Sequence, residues 1–143
     1  MDEPLRDEDR KAFTALLGEW TTEASHPMLP DTVVAGVSIF AWLEGEQFLV
    51  NRAHNHHELF PDSVSVIGNT EGLHMHYFDS RGVHRVYDMS FERGVWRIWR
   101  DHPGFSQRFT GTFEDGGHTI AGQWQLNEDG STWNDDLAIT YRR

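Results

Sequence analysis

Three arginines sit where the alternation of the chain places apolar side chains. Phe48 and Val50 share a face with Arg52 and His54, and Val83, Tyr87 and Met89 share one with Arg85. Trp96 and Ile98 share a third with Arg100. A guanidinium taken out of water needs an anion beside it, either a protein carboxylate or the carboxylate or enolate of a ligand. The same period-2 pattern adds Tyr77 beside Leu73 and Met75, then Gln107 with Phe109, then Trp124, and finally Asp135 between Trp133 and Leu137. Asp135 can neutralise only one of the three arginines, which leaves room for an anionic ligand. The polar members of these faces, with the rings of Trp96, Phe109 and Trp124, are the candidate ligand contacts. Few polar groups in an apolar, aromatic wall is the composition of a small-molecule pocket.

The same residues allow proton chemistry. An imidazole at His54 beside a Tyr or Arg would serve as a proton shuttle, with Tyr87 and the carboxylate of Asp135 as the other catalytic candidates. A water-excluding site with one such group and one Arg can move a proton and hold an enolate. Nothing in the chain resembles a nucleophile elbow or a dinucleotide fingerprint, and Gly68 and Gly72 flank a turn with no helix after it.

Nine histidines raise the question of a metal. His54 and His56 form one His-x-His pair and His74 and His76 another, a spacing that projects both imidazoles to one side of a strand. Cupin-type sites also need a Glu three or four residues beyond the pair, whereas Glu58 follows His56 by two. With no cysteine for a thiolate site, the expectation is no metal ligands and no cofactor.

These side chains need a scaffold, and the turns define it. Leu5–Leu17 carries a short apolar stripe of Phe13, Leu16 and Leu17 and reads as the one helix, with Gly18 closing it. From there about ten alternating segments follow, starting at Glu19, Val33, Gln47, Ser63, Leu73, Val83, Val95, Phe105, Thr119 and Thr132. His26-Pro27-Met28-Leu29-Pro30 is a connection because neither proline can donate to a ladder. Short turns such as Glu92-Arg93-Gly94 and Asp115-Gly116-Gly117 make successive strands antiparallel neighbours. Ten such strands leave two open edges unless the sheet closes. The expected fold is therefore all-β, a single antiparallel up-and-down barrel over about residues 18–142 with the helix at one mouth, in one domain spanning 1–143. A two-sheet sandwich is the alternative. A one-residue register slip would exchange the two faces of any strand.

Composition excludes several partners. The formal net charge of −11 repels phosphate backbones and anionic headgroups, so neither nucleic acid nor membrane is expected. Met1 leads into DEPLRDEDR with no apolar leader, which reads as a cytoplasmic protein. The expected partners are a small-molecule ligand and, at most, a second copy in a homodimer.

Gly18-Glu19-Trp20 after a short helix resembles the Gly-x-Trp signature of lipocalins and the wider calycin group. That resemblance implies an Arg of the last strand packed across Trp20, with Arg142 and Arg143 as the two choices. The runs LLGEWTTEASHP, SIFAWLEGEQFL, YFDSRGVHRVYDMSF, GFSQRFTGTF, TIAGQWQL and DLAITYRR are similar to uncharacterised bacterial lipocalin-like barrels. The likeness implies a calycin-type barrel and brings no activity with it. Nitrobindins, which are haem-binding ten-stranded barrels, and fatty-acid-binding-protein-like barrels are more distantly similar. Nitrobindins carry a proximal His near the C-terminus, and here no His follows His118. Three functions stand open: binding of a small, largely apolar aromatic or anionic molecule in the lumen; cofactor-free isomerase, cyclase or decarboxylase chemistry on an aromatic or polyketide-like substrate; and haem or metal binding through histidines.

Overall fold

The computed structural model describes residues 3–143, which form a closed barrel of ten antiparallel strands. In chain order these are β1 (Gly18–His26), β2 (Leu29–Trp42), β3 (Phe48–Asn55), β4 (Ser63–Asn69) and β5 (Leu73–Asp79). They continue as β6 (His84–Glu92), β7 (Val95–Arg100), β8 (Ser106–Glu114), β9 (Thr119–Asn127) and β10 (Asn134–Arg142). Each strand pairs with its sequence neighbour, and β10 returns to β1 with Thr22 opposite Tyr141. Closure removes both edges, so the sandwich alternative is not formed. The tight turns carry their own geometry. Arg93 and Gly94, the two-residue link between β6 and β7, both have positive φ (53° and 74°), which matches the twist of a hairpin.

The helix α1 (Asp7–Phe13) is shorter than expected and passes into a 3-10 turn at Thr14–Leu16. Its acids Asp7, Glu8 and Asp9 lie in the first turn and Arg10 and Lys11 in the last, the order the helix dipole favours. Leu5, Phe13 and Leu16 are buried and plug one end of the barrel. Phe13 meets Trp42 and Phe91 at ring-centre distances of 6.4 and 6.5 Å. The fully buried Trp20 donates its indole N–H to the Leu16 carbonyl at 2.8 Å. Arg143 fills the role left open between two arginines. Its guanidinium carbon lies 3.9 Å from the centre of the Trp20 ring while its nitrogens donate to the carbonyls of Leu17, Ala15 and Gly117. Arg142 pairs instead with Glu23 on the outside.

The connection at residues 26–30 is only two residues long, because β2 already begins at Leu29 and contains Pro30. The strand tolerates it because β3 first meets β2 at Gly36, so Pro30 has no β3 neighbour awaiting its missing N–H. No helix among the described residues is long and apolar enough to cross a membrane.

Candidate functional site

A cavity of about 660 Å³ occupies the half of the lumen away from the plug and opens between the β1–β2 turn, the 56–62 loop and the start of β8. Its two walls differ. On β1 to β4 most lining positions are small or polar, among them Thr22, Ala24, Ser38, Asn51, Ala53 and Ser65, with Leu29, Phe40 and Ile67 the large exceptions. On β5 to β9 they are large: Met75, Tyr77, Tyr87, Trp96, Ile98 and Trp124. The room exists because the first wall is short-chained, so a guest would lie with one side on rings and the other on hydroxyls and an amide.

The large wall is built from interlocked aromatics. Phe109 sits behind it, 5.0 Å from Trp96 and 5.2 Å from Trp124 between ring centres. Tyr87 stands edge-on to both Tyr77 and Trp124. Gly111 and Gly122 face each other across β8 and β9, and the Phe109 ring covers both. Glycine is required there, since a Cβ at Gly122 would lie 2.6 Å from that ring and 2.9 Å from the Ile139 carbonyl.

Polar groups converge near the opening. Gln107, buried on β8, accepts from the Tyr87 hydroxyl at 3.1 Å and, at a long 3.5 Å, from Arg85. The Arg85 guanidinium carbon also lies 5.1 Å from the centre of the Phe105 ring. Arg100 stays at the open end, donating to the Phe105 carbonyl at 3.4 Å. Among the described residues, neither Arg85 nor Arg100 has a carboxylate oxygen within 4.0 Å. Burial raises the Tyr87 pKa, against the pull of Arg85, so the hydroxyl is a proton-bearing donor at neutral pH. Burial also raises that of Tyr77, helped by its hydrogen bond to Asp79.

The expected inward face of β3 is its outward one. Asn51 pairs with inward Phe40, and Arg52 with the half-exposed Ile39, so Arg52 and His54 project to solvent, where His54 meets Asp62 at 2.9 Å. Both faces of β3 begin apolar, and Phe48 turns outward because it lies over Gly68 of the neighbouring strand. Asp135 is the second displacement. A bulge in β10 between Asp135 and Ala138 inserts one residue, sending Asp135 outside to accept from Gln125 at 3.0 Å. Trp133 goes with it, under the Arg108 guanidinium. The acid that does line the cavity is Asp136, 2.6 Å from His26.

His26 is the one histidine among the cavity-lining residues, and both its ring nitrogens are engaged, the second accepting the Met28 N–H at 3.1 Å. A haem or metal in the lumen would find no free imidazole there. His74 and His76 point outward, bound to Thr70. Among the described residues no three His, Asp or Glu are grouped to hold a metal ion. Ser38, Asn51 and Ser65 escape a reading based on apolar faces, because small polar residues in alternation look like a solvent side. Ser38 has the signal that Val34, Gly36, Ser38 and Phe40 keep the apolar period of β2, while Asn51 and Ser65 share faces with the buried Leu49 and Ile67.

No protein-family model matches the chain, and no curated protein matches it. Among solved structures, the crystal structure of Rv2717c from M. tuberculosis is similar with a TM-score of 0.65, covering 93% of this chain and 95% of that one at 15% identity. At that identity the likeness is one of fold, a ten-stranded barrel.

Proposed function

We propose that the barrel binds one small anionic molecule with an aromatic body, its charge on Arg85 and its rings against Tyr87, Trp96 and Trp124. The observation that carries this is the half-buried Arg85 guanidinium, which faces a 660 Å³ aromatic cavity without a carboxylate partner. Leaving such a group uncompensated is costly, and an anion entering the lumen relieves it. The cavity volume is ordinary for a small-molecule site.

Binding is favoured over proton-transfer catalysis by one specific arrangement. Of the three catalytic candidates read from the sequence, His54 and Asp135 are outside the lumen and Tyr87 is held as a donor to Gln107, while the His26–Asp136 pair that does line the cavity has both imidazole nitrogens engaged. Tryptophan fluorescence tests the proposal with 2-naphthoate as the planar anion. Titration should quench the wild-type signal, and Arg85→Met should weaken binding roughly ten- to hundredfold, the range for losing a hydrogen bond to a charged group. Arg52→Met, on the outer face, and Arg93→Met, in a turn, should titrate as wild type. Equal affinities for all three variants would exclude Arg85 as the anchor.

A further inference from the structure

One row of cross-strand partners runs around the inside of the barrel. Asn51 pairs with Ser65, Ser65 with Tyr77, and Tyr77 with Arg85. With strands ~4.8 Å apart, Asn51 and Arg85 are about 14 Å apart along the wall. The two ends of the row are chemically different. Arg85 offers positive charge. At the other end the hydrogen-bonding account is unfinished in a definite way.

Asn51 donates both amide hydrogens, to the Ser38 hydroxyl at 2.7 Å and to the Ile39 carbonyl at 3.2 Å. The Ile39 carbonyl can only accept, which fixes the orientation of the amide and leaves its Oδ1 as an unused acceptor. Ser38, buried to 2% exposure, uses its oxygen to accept from Asn51 and keeps its own O–H free. Ser65 is 3% exposed and its hydroxyl has no partner among the described residues. All three line the cavity, and Trp96 Nε1 is the sole side-chain polar atom among the described residues that is both sealed from it and unpaired. The unpaired oxygens of Asn51 and Ser65 are therefore open to the cavity, and the Ser38 hydroxyl lies beside them.

We propose that Ser38, Asn51 and Ser65 form a subsite for a ligand hydroxyl, so that the ligand is a hydroxylated aromatic acid rather than a purely hydrocarbon anion such as a fatty acid. An O–H placed there donates to Asn51 Oδ1 and accepts from Ser38 or Ser65. An ether or a methyl in its place leaves the amide oxygen buried without a donor, which is unfavourable. The inference rests on the anion site at Arg85 and extends it to the opposite wall.

Isothermal titration with 6-hydroxy-2-naphthoate, 6-methoxy-2-naphthoate and 2-naphthoate separates the two ideas, since all three carry the same anion. The hydroxy acid should bind at least about tenfold tighter than the methoxy acid. Asn51→Leu should bring that ratio towards one, and Ser38→Ala/Ser65→Ala should weaken the hydroxy and methoxy acids alike, both variants holding the affinity for 2-naphthoate within about threefold of wild type. Asn51→Leu also removes the bonds to Ser38 and Ile39, so if the leucine protein melts early the near-isosteric Ser38→Ala/Ser65→Ala variant decides, through loss of the advantage of 6-hydroxy-2-naphthoate over 2-naphthoate. Equal binding of the hydroxy and methoxy acids, with both weakened by Arg85→Met, overturns the hydroxyl subsite and leaves the anion site standing. Failure of all three acids to bind the wild type removes both.

Discussion

Asp79 sets the posture of two residues that line the cavity, Tyr77 and Arg81. Its side chain is fully enclosed and receives the Tyr77 hydroxyl at 2.8 Å, two guanidinium nitrogens of Arg81 at 2.6 and 3.1 Å, and the Arg81 backbone N–H at 2.9 Å. Burial pushes the carboxyl pKa up, but these donors outweigh it and hold the group well below the ordinary aspartate range. A depressed folded-state pKa adds stability above the unfolded value near 3.8 and loses it as the pH falls towards the folded one. Wild-type stability should therefore drop between about pH 5 and pH 3, partly through this group. Asp79→Asn should lower stability at pH 7 by about 1–2 kcal/mol, because Tyr77 loses its charged acceptor whereas the half-exposed Arg81 rehydrates. Urea titrations at pH 7, 5 and 3 check both statements. An unchanged acid slope in the Asp79→Asn variant would move the acid sensitivity elsewhere.

At the scale of elements, the β8–β9 hairpin is the back of the site, and its glycines are what keep the rings stacked. Gly122→Ala places a methyl 2.6 Å from the Phe109 ring and 2.9 Å from a backbone oxygen that cannot rotate away. Overpacking of that kind costs about 1–3 kcal/mol. The expected result is a lower thermal midpoint together with weaker quenching by 2-naphthoate, because Phe109 supports Trp96 and Trp124. Loss of stability with unchanged quenching would separate Phe109 from the wall. The same hairpin explains how much was legible beforehand. From β5 to β9 one face holds nearly all the large apolar residues and the turns are two to five residues long, so Tyr77, Arg85, Tyr87, Trp96, Gln107 and Trp124 are inward as the alternation indicates. β3 misleads because Phe48 and Val50 outnumber Leu49, and the count of apolar side chains on a face does not reveal that Phe48 has a glycine of its own to cover. β10 misleads because a bulge has no signal in the side-chain alternation that it interrupts.

For the whole molecule, the contrast is between a surface of net charge −11 and a cavity opening that carries Arg81, Arg85 and Arg100. An anion approaching from afar feels the repulsive total, and only within a few ångströms does it feel the local guanidinium groups. Screening removes the first sooner than the second, since the Debye length falls from ~30 Å at 0.01 M salt to ~8 Å at 0.15 M. Stopped-flow association of 2-naphthoate should then become faster as salt is raised over that range, the reverse of ordinary attraction-steered binding. A rate that falls with salt would mean that the arginines dominate the far field. Barrel closure by β1 and β10 has a further consequence, in time. Thr21 and Arg142, partners across that seam, are 121 positions apart. A ribosome adding ~5–20 residues per second keeps β1 waiting on the order of ten seconds for its second neighbour. During synthesis β1 is an unfinished edge, and its outward Glu19 and Glu23 give the nascent chain charges that discourage pairing with the wrong strand.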